Sequence, residues 1–172
     1  MAYFGGAEIF YPAVIAVPLA LLQAYLDLSR KGRSLWAEMT GAVAISATAA
    51  MIGIAGGLGW RISLAMWFIL AVRFIPSILY VRNRLQLEKG KTHDPVGPVA
   101  AHFAALAVVI ILWYIGVASI LTGAVFAFLL FRSAVGLSPY RTKMKAMKIG
   151  IWEVVYGAVT VLSMIVGYYA GL

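Results

Sequence analysis

The residues best suited to chemistry in this sequence are a few ionisable side chains that lie inside long apolar runs. They are Glu38, Arg73, His102 and Glu153. A charge in the hydrocarbon of a bilayer costs about 2.5 to 3.5 kcal/mol on insertion scales, so such residues need a partner or a function. They could form buried ion pairs that hold helices together, or they could bind the polar part of a ligand. The sequence leaves both interpretations open.

Two stripes of polar residues at helical spacing extend this set. The first consists of Arg73, Ser77, Tyr80 and Arg84. The second consists of Glu153, Tyr156, Gly157 and Thr160. Residues three, four and seven apart share one face of an α-helix, so we expect both stripes to face other helices. The sequence therefore predicts one polar cluster in the cytoplasmic half of the membrane, formed by Glu38, Arg73, Tyr80, His102, Glu153 and Tyr156.

Several kinds of cofactor chemistry are excluded by counting ligands. Cysteine is absent, and the two histidines are His93, in a polar segment, and His102, so a transmembrane haem lacks a pair of axial ligands. The aspartates Asp27 and Asp94 stand apart, whereas a magnesium-diphosphate site needs carboxylates close together. We expect the chain to bind no cofactor or metal by itself.

The elements that must position these residues are six apolar runs. Hydrophobic residues make up 63% of the chain and charged residues only 12%, about half the usual share in a soluble domain. A run of roughly 20 apolar residues spans a bilayer as a helix. The sequence therefore predicts an all-α, polytopic membrane bundle in one domain, residues 1–172, with helices over 9–28, 35–58, 62–81, 96–115, 117–135 and 149–172.

Basic residues predict the orientation of the bundle. Of the 14 Lys and Arg residues, three lie in the first loop, four in the third, and five in or beside the fifth. Basic loops stay in the cytoplasm, so both termini are expected outside. The predicted location is a bacterial or archaeal cytoplasmic (inner) membrane. The longest loop, residues 82–95, is predicted to be a cytoplasmic hairpin.

Glycine and alanine predict turns and close packing. Gly116 stands between two nearly continuous apolar runs, and we expect a tight turn there because one helix of that length would exceed the bilayer. Pairs of small residues four apart, Gly53 with Gly57 and Gly123 with Ala127, favour close approach of helices.

The stretch RFIPSILYVRNRL, residues 73–85, is similar to the signature region of the YwiC-like family of bacterial membrane proteins. Residues 33–38 and 150–153 resemble the same family. The resemblance implies a helical bundle with a distant kinship to UbiA-type intramembrane prenyltransferases and a cytoplasm-facing pocket for an isoprenoid or quinone. The chain resembles a family member without its first helices. It also lacks the Asp-rich motifs of UbiA enzymes, so their diphosphate chemistry does not carry over.

Three functions of different classes follow from these features. The first is a small, non-catalytic subunit of a larger membrane complex, for example a respiratory or redox complex, which packs against other subunits and borders a quinone or lipid site. The second is a reduced UbiA-like enzyme acting on a prenyl or quinone lipid. The third is an oligomeric transporter. The expected partners are membrane lipids and other membrane subunits. Nucleic acid is excluded, because the basic residues flank apolar segments and no soluble domain carries a basic patch.

Overall fold

The computed structural model describes residues 6–29 and 34–172. Arg30, Lys31 and Arg33, which the charge argument assigned to the first loop, lie outside the described residues. The described elements are all helical. They are a 3-10 turn, Ala7–Phe10, and the helices α1 Tyr11–Leu28, α2 Leu35–Ala55, α3 Trp60–Glu88, α4 Val96–Tyr114, α5 Ile120–Leu137 and α6 Ala146–Tyr169.

Each of these six helices is long and apolar enough to cross a membrane. The shortest of the six α-helices are α1 and α5, with 18 residues each. At a rise of 1.5 Å per residue this is about 27 Å, close to the thickness of the hydrocarbon core. The predicted fold class, an all-α polytopic membrane protein with six spanning helices, is confirmed.

The end of the third helix corrects the sequence prediction. The other helix ends differ from the prediction by no more than three residues, but α3 continues seven residues past 81, to Glu88. The predicted hairpin over 82–95 is therefore wrong in its first half, and the loop begins only after Glu88. The physical reason is that Arg84, taken as a loop residue, is fully buried. The helix ends before Gly90, whose φ of +66° lies in the left-handed region that favours glycine.

A tight turn separates α4 from α5. Gly116 has a φ of +73°, so the predicted turn at this glycine is confirmed. The side chain of Ser119 then accepts a hydrogen bond from the backbone N–H of Thr122 at 3.1 Å and caps α5. Such a cap satisfies one of the free N–H groups at a helix start.

The chain divides into two compact units, Met1–Ile75 and Pro76–Leu172, and the boundary falls inside α3. The first unit holds the 3-10 turn, α1, α2 and the first part of α3. The second unit holds the rest of α3 with α4, α5 and α6.

Small residues bring α2 and α3 together in the first unit. Gly53 is buried, and a Cβ atom at this position would lie 2.7 Å from the Ser63 hydroxyl oxygen and 3.4 Å from its Cα. Nearby, the Trp67 indole N–H donates a hydrogen bond to the carbonyl of Val43 at 2.9 Å. The predicted small-residue contact is confirmed at Gly53. It does not extend to Gly57, which lies beyond the end of α2.

Hydroxyl groups join α5 to α6 in the second unit. Ser119, the N-cap of α5, donates to the carbonyl of Ser163 at 3.3 Å, and the Ser163 hydroxyl lies 3.4 Å from the hydroxyl of Thr122. The predicted close packing at Gly123 finds no counterpart in the described residues, because nothing lies within 4 Å of a Cβ atom built there.

We expect Gly53→Ala to lower the thermal unfolding midpoint of the purified chain, because the added methyl group collides with Ser63. Overpacking of this kind costs about 1 to 3 kcal/mol. Ser63→Gly in the same chain should restore much of the loss. The matched control is Gly123→Ala, which meets no neighbour and should leave the midpoint unchanged or raise it slightly. Equal midpoints for the two single variants would contradict the close contact.

Candidate functional site

A polar cluster centred on Arg132 lies at one end of the second unit. Four helices supply it: the last part of α3, the first part of α4, the last part of α5 and the first part of α6. Its members are Tyr80, His102, Arg132, Glu153 and Tyr156. We call this set the Arg132 cluster.

An ion pair between α5 and α6 forms the centre of the cluster. Arg132 donates through Nη1 to a carboxylate oxygen of Glu153. The two side chains are only 12% and 16% exposed. Opposite charges removed from water and joined by a hydrogen bond attract each other strongly, and removal of one strands the other. The pair therefore ties the two helices together.

Two tyrosine rings flank the guanidinium. The Arg132 guanidinium carbon lies 4.2 Å from the ring centre of Tyr80 and 4.5 Å from that of Tyr156. A cation within about 6 Å of an aromatic ring is attracted by the electron-rich face, and the attraction grows to about 2 kcal/mol when water is excluded. Arg132 thus connects α3, α5 and α6 with one side chain.

Further aromatic side chains form a rim around these tyrosines. Trp152 stacks on Tyr156 with ring centres 5.5 Å apart, and Phe128 lies 5.8 Å from the same ring. Both Trp152 and Phe128 are partly exposed, so the rim opens to the surface of the helices. Towards α4, the rings of His102 and Tyr80 are nearly perpendicular, with their centres 6.4 Å apart.

The histidine is oriented by its own helix. The ring nitrogen Nδ1 of His102 lies 2.8 Å from the carbonyl oxygen of Pro98, one turn earlier in α4. Its ring is buried. No group of three His, Cys, Asp or Glu residues within 6–29 and 34–172 is placed to hold a metal ion.

The hydrogen-bonding capacity of Arg132 is only partly used. Its Nε and Nη2 atoms are buried and have no hydrogen-bond acceptor within the described part of the chain. An unsatisfied buried donor costs about 1 to 3 kcal/mol. An oxygen atom supplied by a ligand or by water would remove this cost. Because Glu153 already balances the charge of Arg132, a neutral acceptor such as a carbonyl group suits the site better than an anion.

A second arginine, next to the cluster, holds the segment between α5 and α6. Arg84 is completely buried and donates to the backbone carbonyls of Gly136 and Thr142. It also pairs with Glu88 at 2.8 Å. The same carboxylate lies 3.9 Å from Arg141. Two guanidinium groups and one carboxylate thus fix this segment to the end of α3.

Most of the predicted site residues lie in this unit. Tyr80, His102, Glu153 and Tyr156 are the four that gather around Arg132.

Arg73 and Glu38, the other two predicted site residues, belong to the first unit. Arg73 is 2% exposed, and its guanidinium lies 5.4 Å from the ring of Phe74. That all six residues form one cluster remains a prediction.

Both predicted stripes face inward. The four residues of the first stripe are buried. In the second stripe Thr160 is buried and the other three residues are partly covered, while their neighbours Val154 and Val155 are exposed. Arg132 was missed as a site residue, because it was counted beside the basic fifth loop. A signal was present, because Arg132 lies inside the predicted fifth helix, residues 117–135.

We expect Arg132→Ala and Glu153→Ala each to destabilise the chain by about 3 to 5 kcal/mol, because each strands a buried charge. The double variant should cost less than the sum of the two. The measurement is a double-mutant cycle on unfolding free energies in detergent. The control is a second cycle that combines Arg132→Ala with Val154→Ala, because Val154 lies on the exposed face of α6. Additive losses in the Arg132–Glu153 cycle would contradict the ion pair.

We also expect Arg84→Lys to loosen the segment between α5 and α6. A lysine keeps the charge but lacks the planar guanidinium that reaches two carbonyls and a carboxylate together. Hydrogen exchange at residues 138–145 should become faster, with little change in α4. Arg82→Lys, at the same end of α3, serves as the control. If exchange in 138–145 is the same in both variants, Arg84 does not anchor the segment.

Comparison with protein-family models, with curated proteins and with solved structures finds no match to this chain.

Proposed function

We propose that this chain is a small, non-catalytic subunit of a larger membrane complex, and that its Arg132 cluster borders a site for a quinone or another carbonyl-bearing lipid. One observation supports the proposed ligand site. Two buried donor nitrogens of Arg132, Nε and Nη2, have no hydrogen-bond acceptor within the described residues. A quinone carbonyl offers such an acceptor without adding a charge to the Arg132–Glu153 pair.

The aromatic rim supports the same class of ligand. Trp152 is 41% exposed and lies nearly parallel to Tyr156, at an interplanar angle of 23°. Flat aromatic surfaces attract one another in stacked arrangements. The ring of a quinone would stack on this rim while its carbonyl accepts a hydrogen bond from Arg132.

An apolar groove elsewhere on the second unit suits a hydrocarbon chain. It is lined by Pro95, Val96, Val99, Ala100, Phe103 and Leu130. A groove of this composition on a membrane-spanning protein offers no hydrogen-bonding side chain, so it accommodates an acyl or isoprenoid tail.

Association with other subunits is supported by small residues that have no neighbour within the described chain. Gly123 in α5 and Gly150 in α6 would each accept a methyl group without contact within 4 Å. Gly150 is exposed and lies in a helix with a largely exposed apolar face. Small residues on lipid-facing surfaces let another helix approach closely.

The proposed orientation places the Arg132 cluster in the cytoplasmic half of a bacterial or archaeal inner membrane. Lys89, Lys91, Lys143, Lys145 and Lys148 lie near the same ends of α3 and α6 as the cluster. The positive-inside rule assigns such ends to the cytoplasm.

A reduced UbiA-like enzyme is the second candidate. The cluster supports it because Glu153, Tyr80 and His102 are groups able to exchange protons, and a proton transfer next to a prenyl or quinone lipid would use them. A purified chain that changes the lipid profile of quinone-containing liposomes, and loses this effect in Glu153→Gln, would favour the enzyme over the subunit.

The test of the proposed function starts from the tagged full chain, extracted from its native membrane in digitonin. Native mass spectrometry should find it bound to other membrane proteins, and lipid analysis should find a quinone in the purified complex. Recovery of the chain as a monomer alone would contradict the subunit role.

Variants at the rim test the ligand site without removing the buried charges. We expect Trp152→Leu to lower the amount of bound quinone several-fold, because the stacking surface is lost. Val154→Leu, on the exposed face of the same helix, is the matched control and should bind the wild-type amount. Equal amounts in both variants would place the quinone away from the cluster.

A further inference from the structure

The end of the second unit that carries the Arg132 cluster also carries an excess of positive charge. Residues 82–95 and 138–148 contain eight basic residues and two carboxylates. Six of the basic residues form what we call the basic patch: Lys89, Lys91, Arg141, Lys143, Lys145 and Lys148. Its five lysines are exposed. A charge excess of this size needs counter-charge from outside the segment.

Both carboxylates at this end are already engaged. Glu88 pairs with Arg84 at 2.8 Å and lies 3.9 Å from Arg141. Asp94 accepts hydrogen bonds from the backbone N–H groups of Val96 at 2.9 Å and Gly97 at 3.1 Å, which caps α4. None of the five lysines forms an ion pair with a residue that the structure describes. Their charges are therefore not neutralised within 6–29 and 34–172.

The backbone that carries part of the basic patch is held against the end of α3. The carbonyl of Thr142 accepts a hydrogen bond from buried Arg84, so the segment that carries Lys143 is held against the end of α3. Arg141 contributes a buried Nε atom that has no hydrogen-bond acceptor among the described residues. These features hold cationic donors in place at the end of a transmembrane unit.

The start of α6 adds to the same field. Lys145 is its N-cap, without a side-chain hydrogen bond, and the first turn has no acidic residue. Cations at this pole of a helix dipole are unfavourable, whereas an anion is stabilised by the free N–H groups. An external anion would therefore reduce the unfavourable interaction of Lys145 and Lys148 with the helix dipole.

We infer that the basic patch binds the phosphate of an anionic phospholipid headgroup. The patch lies at the end of membrane-spanning helices, which is the depth of headgroups, and its sign is complementary to theirs. Basic residues beside transmembrane helices attract anionic lipids, and each contributes about fivefold in affinity. This binding is separate from the proposed quinone site, because it uses the lysines and Arg141 and none of the Arg132 cluster.

The experiment uses the full chain in nanodiscs of phosphatidylcholine with increasing phosphatidylglycerol. Bound phosphatidylglycerol is counted by native mass spectrometry after release. We expect selective retention of phosphatidylglycerol by the wild type. K143Q/K145Q/K148Q should weaken binding on the order of 100-fold, as expected for three contributions of this size. K143R/K145R/K148R keeps the charge and should retain binding.

Two further arms identify the source of the phosphate and the specificity of the patch. Inorganic phosphate at millimolar concentration should not displace the lipid. Arg61→Gln, an exposed charge near the start of α3, should leave retention unchanged. Equal retention of phosphatidylglycerol and phosphatidylcholine, undiminished retention in the glutamine variant, or displacement by inorganic phosphate would overturn the inference.

Discussion

A charged guanidinium within a membrane-spanning helix is the constraint on which the second unit depends. Arg132 is largely shielded from water there, and the protein supplies a carboxylate from α6 and two aromatic faces, one from α3 and one from α6. Each of these contacts requires a particular helix to stand beside α5 in a particular rotation. The burial of one charge thus fixes the arrangement of three helices. The remaining donor nitrogens of Arg132 are costly to leave unsatisfied in this environment, since lipid offers few hydrogen-bond acceptors.

Arg84 is a second buried guanidinium, and its charge is balanced by different partners. Its guanidinium uses backbone carbonyls of Gly136 and Thr142 together with Glu88. These carbonyls lie near and beyond the end of α5, where no helix hydrogen bond satisfies them. The buried charge and the free carbonyls therefore satisfy each other. The result is a segment between α5 and α6 that is tied to the end of α3 and carries Arg141, Lys143 and Lys145 of the basic patch.

Two arginines show what local sequence reasoning could predict of the site. Arg84 was assigned correctly to a buried stripe by its spacing from Tyr80, although it was also counted as part of a loop. Arg132 was counted beside a basic loop, because a charge near the end of an apolar run usually marks the interface. Its partners, Glu153 and Tyr156, were identified by their helical spacing. Their contact with Arg132 was not predicted, because residues on different helices leave no shared pattern in the sequence.

The sequence alone determined the six membrane-spanning helices and the inward faces of α3 and α6. It also determined the helix ends to within three residues, except for the end of α3. It could do so because hydropathy, helical period and glycine turns are local properties with strong energetic consequences in lipid. Only the tertiary structure decided that α3 continues to Glu88 and that Arg132 is the centre of the cluster. The reason is that a charge is buried or exposed according to partners far away in the chain, and the partner of Arg132 lies 21 residues later.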